Sequence, residues 1–311
     1  MLFLLAVLLP GLYWQGGAQT AASLRNAGIK QVYVPASEVA SWKSVEGIKA
    51  EPADLQGAVK LPAPGMVFRM NQASATRTPW VNSNGWHLMR KAGSRFYYDV
   101  DSRTAALAAA EAFTYSAQAL VQTKAEGVAK FAEMVKFLNG IAGPEGEPVA
   151  DIGFIDDGSA ASAEVMNLLV RDNFLFKIVS APDSHLKLNV KIGSPEYPAK
   201  EAQTNPVQVV SKIRANLTDA RRSLRVYGTS IVVAHVTEQP GRLRVQFLNY
   251  GSAQGARVGA FRVRVAGRYA KGELHSFDRA GDQLSDYEPG SDATEFTAPE
   301  LNTYAVVDLY K

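Results

Sequence analysis

Near residue 226 the chain changes its grammar. Up to that point apolar runs alternate with helical patterns; beyond it, strand-like runs follow one another with only turns between them. Strand–helix alternation builds a parallel sheet covered by helices, whereas a succession of strands builds an antiparallel sandwich or barrel. The chain is therefore expected to be α/β first and all-β afterwards. The later strands are "TSIVVAHVTE", "RLRVQFLNYG", "AFRVRVAGRY", "GELHSFD", "ATEFTAP" and "TYAVVDLYK", separated by turns such as "QPGR" and "RAGD". In "RLRVQF" and "FRVRV" apolar and polar residues alternate, the pattern of a strand with one face in the core and one in water. Residues 226–311 are read as a small antiparallel β-sandwich.

The α/β part divides again, as 311 residues allow two or three domains. "LYWQGG" is a short strand, "AQTAASLRNAG" a helix stopped by Gly28, and "IKQVYVP" the next strand. "RFYYDV" reads as another strand, followed by two helices, "SRTAALAAAEAFTYSAQALV" and "EGVAKFAEMVKFLNGI". "AGPEGEP" (142–148) has the composition of a linker. Then "VADIGFID", a helix over 159–170 and "FLFKIVSAP" make a βαβ unit. "HLKLNVKIGSPEYPAKEAQTNP" reads as loop, and 206–224 as a helix. The domains are thus an α/β domain over 11–143, a Rossmann-like α/β domain over 149–225, and the sandwich. Residues 2–9 are uninterrupted apolar, too short a run to span a bilayer. Residues 1–10 fit the remnant of an export signal without its basic start, or else a buried strand. The export reading implies an extracytoplasmic protein, periplasmic or secreted.

Composition removes several functions. The chain has no cysteine, which excludes disulfides and thiolate chemistry. A net charge of +3 over this length gives no nucleic-acid groove or polybasic membrane surface. None of the four histidines has zinc-site spacing, and neither a GxSxG elbow nor a phosphate loop is present. No metal and no cofactor are expected; homo-oligomerisation is left open.

Three groups of residues carry candidate chemistry. Asp156 and Asp157 stand where a parallel strand meets a helix, where ligands gather in open α/β sheets. They also suit the exposed N–H groups and positive dipole of that helix, and this capping role is the preferred one. Asp99 and Asp101 follow the strand "RFYYDV", and Glu111 lies in the alanine-rich helix; these three are the candidate catalytic carboxylates. Trp14 and Gln15 in "GLYWQGG", with Trp80, Asn82 and Trp86 in "TPWVNSNGWHLMR", combine rings that stack on sugar C–H faces with amides that pair with hydroxyls. Core tryptophans and turn asparagines are the other reading of that group.

The order of these parts resembles the family 42 β-galactosidases: a barrel-like domain, a middle region with "ADIGFIDDGSAASAEVMNLLVRDNFLFKIV", then a sandwich with "VQFLNYG" and "TYAVVDLYK". The resemblance covers residues 149–311 best. It implies a TIM-barrel-like first domain, an amidotransferase-like middle domain and a carbohydrate partner. A complete (β/α)8 barrel takes about 200–250 residues, so a first domain of this kind must be reduced. The Asn-Glu dipeptide that usually holds the family's acid/base is absent, and no catalytic residue carries over. The leading expectation is an extracytoplasmic glycoside-hydrolase-like protein acting on or binding carbohydrate; the alternative is a non-catalytic carbohydrate-binding or scaffold protein with a degenerate barrel. A third reading is an enzyme of another class using Asp156 and Asp157.

Overall fold

The computed structural model describes residues 9–67, 79–141, 143, 146–279 and 281–311. The apolar run at residues 2–8 lies outside them, and no helix among the described residues is long and apolar enough to cross a membrane.

The first unit is built on strands β1 (Gly11–Tyr13), β2 (Gln31–Val34), β3 (Lys49–Pro52), β4 (Val59–Leu61), β7 (Phe96–Asp99) and β8 (Ala119–Gln122), with a hairpin of β5 (Gly65–Val67) and β6 (Trp80–Asn82) set apart from them. Helices α1 (Ala21–Asn26), α2 (Val39–Trp42), α3 (Gly85–Arg90), α4 (Ala105–Thr114) and α5 (Ala125–Ile141) connect and cover them. The six strands form one parallel sheet in the order β3-β2-β1-β8-β7-β4. This is a circular order, in which the first strand lies beside the last, as in a barrel. The circle is not closed: β3 and β4 are edges. Yet residues 53–58 join them directly. A flat sheet would set those edges five spacings of about 4.8 Å apart, and Val59 lies four residue levels, about 13 Å, back along the strands from Pro52. The gap would then be roughly 27 Å, more than the ~25 Å that the seven Cα–Cα steps from residue 52 to 59 can span. The sheet must therefore curl, and residues 53–58 strap its open side.

Two expectations change here. The first domain is an open arc of six parallel strands rather than a barrel. The long helix expected through residue 121 stops at Thr114, and the next residues form β8. Ser116 takes a left-handed φ of 50° and turns the chain between them. All ten residues of α4 are buried, because its alanines let neighbouring elements approach its backbone closely.

The second unit has a three-stranded parallel sheet, β11 (Phe176–Val179), β10 (Ile152–Ile155) and β12 (Leu188–Lys191), with α6 (Ala160–Arg171), α7 (Ala199–Thr204) and α8 (Pro206–Leu217). Ser159 caps α6 by accepting the Ser162 N–H at 3.1 Å; Asn205 caps α8, with Pro206 at its first position. β12 forms inside the stretch read as loop.

The third unit stacks two antiparallel sheets. One runs β13 (Leu224–Tyr227), β16 (Phe261–Ala266), β19 (Ala293–Ala298), β18 (Ser285–Pro289). The other runs β17 (Lys271–Ser276), β20 (Tyr304–Tyr310), β15 (Arg242–Asn249), β14 (Val232–Gln239), β9 (Glu147–Pro148), so part of the expected linker joins this sheet. The solvated polar face expected for β15 is absent. Val245, Phe247 and Val307 fill the sandwich, while Leu248, Tyr304 and Val306, facing the other way, enter the core of the α/β units. The polar residues of that outer face are buried with partners. The Arg244 guanidinium donates twice to the Asp308 carboxylate at 2.7 Å and once to the Ile141 carbonyl, and Gln246 accepts from the Tyr304 hydroxyl at 2.6 Å.

Candidate functional site

Strand alternation sorts the arc into two faces. Leu12, Val32, Val34, Leu61, Tyr98 and Val121 point to the helices and are at most 1% exposed. The residues between them point to the concave side. In register across the strands this side carries Glu51, Tyr33, Tyr13, Gln122 and Asp99 in one row. Lys60, Tyr97 and Leu120 line up one step below. Tyr13 is buried yet belongs to neither apolar core, as expected for a ring on a polar face.

The charges on this face are matched. Lys60 Nζ stands 3.2 Å from Asp99 and over the Tyr97 ring; Lys49 Nζ stands 2.5 Å from Glu51. The Gln31 amide donates to the Tyr33 hydroxyl at 3.2 Å, and the Gln122 amide donates to Gln15 at 3.3 Å. Burial, then the nearby Glu51 carboxylate, push the Tyr33 hydroxyl above its ordinary pKa, so it stays a neutral donor. Beneath the strap lies a cavity of about 260 Å³, lined by Gly11, Tyr33 and Leu120 of the sheet, by Ala53, Leu55 and Ala58 of the strap, and by Arg95. Arg95 reaches the strap carbonyls of Asp54 and Gln56 at 3.5 and 3.4 Å, at the long end of hydrogen bonding. A Cβ at Gly11 would stand 2.4 Å from the Tyr33 ring; glycine lets that ring lie across β1.

The residues singled out by sequence fall in different places. Gln15 and Asp99 reach the concave face. Asp101 lies beyond the end of β7, where its Oδ1 accepts from Thr104 N–H, Thr104 hydroxyl and Arg103 N–H, which makes it a loop cap. Trp14 has the opposite parity to Tyr13 and Gln15, so it turns into the core, where its Nε1 donates to Thr20 at 2.8 Å. Trp80 and Asn82 belong to the separate hairpin, with the Arg171 guanidinium 3.6 Å from the Trp80 ring centre. Trp86 stacks on His87 at 3.5 Å, beside Arg90.

Glu111 is 0% exposed and faces the helix side. Its carboxyl accepts from the Tyr250 hydroxyl at 2.5 Å, the Asn84 N–H at 2.7 Å, the Asn84 amide at 2.8 Å and the Tyr98 hydroxyl at 2.9 Å. Burial raises its pKa against those donors. With Tyr250 contributed by the segment after β15, this group ties α4 to the sandwich.

Asp156 and Asp157 also take structural parts. Arg90 of α3 grips Asp156 with two bonds of 2.7 Å and reaches the Ser159 carbonyl at 2.9 Å. Asp157 accepts from Ser159 N–H and the Ser162 hydroxyl at the start of α6. Arg90 holds the Asp156 carboxyl below the usual carboxylate range. Its stabilising contribution is therefore complete above the unfolded pKa of about 3.9 and fades as pH falls through the native value. Asp156→Ala should cost about 1.5–3 kcal/mol at pH 7. Urea unfolding at pH 7 and pH 3 should show the gap to the wild type shrinking in acid, and an equal gap at both would remove this account.

A larger cavity of about 390 Å³ lies where the three units meet, beside His235, whose pKa burial lowers to about 4. Its walls are mainly apolar, with Leu88, Met89, Phe96, Phe176 and Ile178, and its Lys177 is paired with Asp183. Its polar groups, Tyr115, Ser116, Glu147, His235 and Thr237 among them, are scattered over all three units, whereas the concave face sets its polar side chains in register on one sheet, which makes it the better candidate site.

No family model matches this chain, and no curated protein matches it in sequence. Among solved structures it shares a fold with α-L-fucosidase isoenzyme 2 from Paenibacillus thiaminolyticus, at a TM-score of 0.54 and 9% identity, over 88% of this chain and 70% of that one. Weaker likenesses, with TM-scores of 0.40 and 0.38 and 7% identity, are to a GH42 β-galactosidase from G. stearothermophilus, over 79% of this chain and 53% of that one, and to an exo-carrageenase from Bacteroides ovatus, over 85% and 48%. The fold is glycoside-hydrolase-like, mixing one curled parallel sheet with antiparallel sheets, and the likeness does not single out family 42.

Proposed function

We propose that this chain is a glycoside-hydrolase-like protein that binds carbohydrate on the concave face of its six-stranded arc without hydrolysing it. The observation that carries the reading is the row Glu51–Tyr33–Tyr13–Gln122–Asp99, one polar and aromatic face opposite a buried, mainly apolar one. The half-buried Tyr33 and Tyr97 rings can stack on sugar C–H surfaces, and the amides, hydroxyls and carboxylates can pair with sugar hydroxyls. Glycoside hydrolysis needs two carboxyl groups, one with a raised pKa acting as acid. The carboxylates of this face are ion-paired and partly exposed, and Glu111, whose pKa is raised, is sealed on the other face. The three-part order of family 42 β-galactosidases is the plan from which such a reduced binder would derive. The apolar N-terminal run supports placing it outside the cytoplasm.

Isothermal titration with a panel of neutral mono- and oligosaccharides should give saturable binding, weakened at least about tenfold (~1.4 kcal/mol) by Tyr33→Ala. The same panel as chromogenic glycosides should give no turnover. Turnover that disappears in Asp99→Asn would replace this reading with a glycosidase.

A further inference from the structure

We infer that the cavity under the strap holds a single, uncharged sugar ring at the end of a glycan. This rests on the carbohydrate reading above and adds which part of a glycan is read. Three observations point to it.

The first is size. At about 260 Å³ the cavity falls below the ~300 Å³ at which pockets begin to enclose drug-sized ligands. That is the scale of a single pyranose ring. The second is the strap. Residues 53–58 pass from one edge of the arc to the other, and Ala53, Leu55 and Ala58 line the cavity opposite the sheet. A chain running on in both directions would have to thread beneath them, whereas a chain end enters from one side. Arg95 approaches two of the strap's backbone carbonyls from the sheet side.

The third is charge. Among the described residues the cations of the concave face, Lys49 and Lys60, are each paired with a carboxylate of that same face. At the cavity itself the Arg95 guanidinium is turned to the backbone carbonyls of Asp54 and Gln56, and the Asp54 carboxylate lines the same space. An anionic ring in the cavity would sit against the Asp54 carboxylate. The Tyr33 ring, lying across Gly11, supplies the stacking surface, and Gln31 holds its hydroxyl.

The test uses the full chain and three probes: a neutral linear oligosaccharide, a cyclic one of the same linkage, which has no end, and a linear oligouronate. Binding is followed by calorimetry and by saturation-transfer NMR. The linear neutral glycan should bind at least tenfold more tightly than the cyclic one, with transfer concentrated on one terminal ring, and the oligouronate should bind more weakly still. Gly11→Ala, which lifts the Tyr33 ring into the cavity, and Ala58→Trp, which fills it from the strap without touching the sheet, should each reduce binding at least tenfold while thermal melts stay cooperative. Equal binding of linear and cyclic glycans, or a preference for the oligouronate, overturns this inference and leaves carbohydrate binding standing. Binding of none of the glycans in the broader neutral panel overturns both.

Discussion

Glu111→Ala is expected to remove about 3–5 kcal/mol of stability, a large share of the ~5–15 kcal/mol that holds a typical domain together. The substitution deletes the acceptor of four short hydrogen bonds, two from tyrosine hydroxyls and two from Asn84. Each donor left unpaired in a dry setting costs about 1–3 kcal/mol. Part of that is offset because a carboxyl is no longer buried. Glu111→Gln keeps the shape and separates the charge from the packing. The native pKa of Glu111 is raised, so the folded state holds its proton longer than the unfolded state does. Its favourable contribution is complete below the unfolded pKa of about 4.3 and is lost as pH climbs toward the native value. Urea titrations from pH 4 to pH 7 should therefore show the wild type's advantage over Glu111→Gln shrinking as pH rises. An advantage that grows with pH would mean that the site stabilises a carboxylate, and a loss below 1 kcal/mol in Glu111→Ala would remove the clamp altogether.

Asp308→Ala is expected to be comparably damaging, at about 3–5 kcal/mol, for a different reason. Arg244 is 8% exposed and its guanidinium keeps only the Ile141 carbonyl once Asp308 is gone. Arg242 also stands 3.6 Å from the same carboxylate. The isolated cation is what costs, so taking away both members should hurt less than taking away one. The double variant Arg244→Met with Asp308→Leu should recover most of the loss in thermal melts. A double variant as unstable as Asp308→Ala would show that shape, not charge, fixes this pair.

How much of this was legible depends on which face a residue serves. The change from α/β to all-β near residue 226 shows in the sequence because strand and helix periods differ, and β13 opens at Leu224. The strand "QVYVP" already alternates Tyr33 outward with Val32 and Val34 inward, and "RFYYDV" does the same with Tyr97 and Asp99; parity alone could have drawn attention to the tyrosines of the concave face. The tryptophans drew it instead, though Trp14, two residues from Leu12, shares its inward face. The short strands Lys49–Pro52 and Val59–Leu61 are too brief and too polar to show a period. "RLRVQF" misled because its polar residues meet polar partners from elsewhere in the chain, such as Asp308 and Tyr304. Glu111 gave no local signal either: its donors come from residues 84, 98 and 250.

The position of the gap in the arc has a consequence for how such chains change length. β3 and β4 hydrogen-bond to one neighbour each, β2 and β7. Strand–helix units could therefore be spliced in or lost between residues 52 and 59 with every other ladder left intact. Closed and open versions of this plan would then be separated by insertions at one loop, where the strap is now the only link between the two edges in sequence.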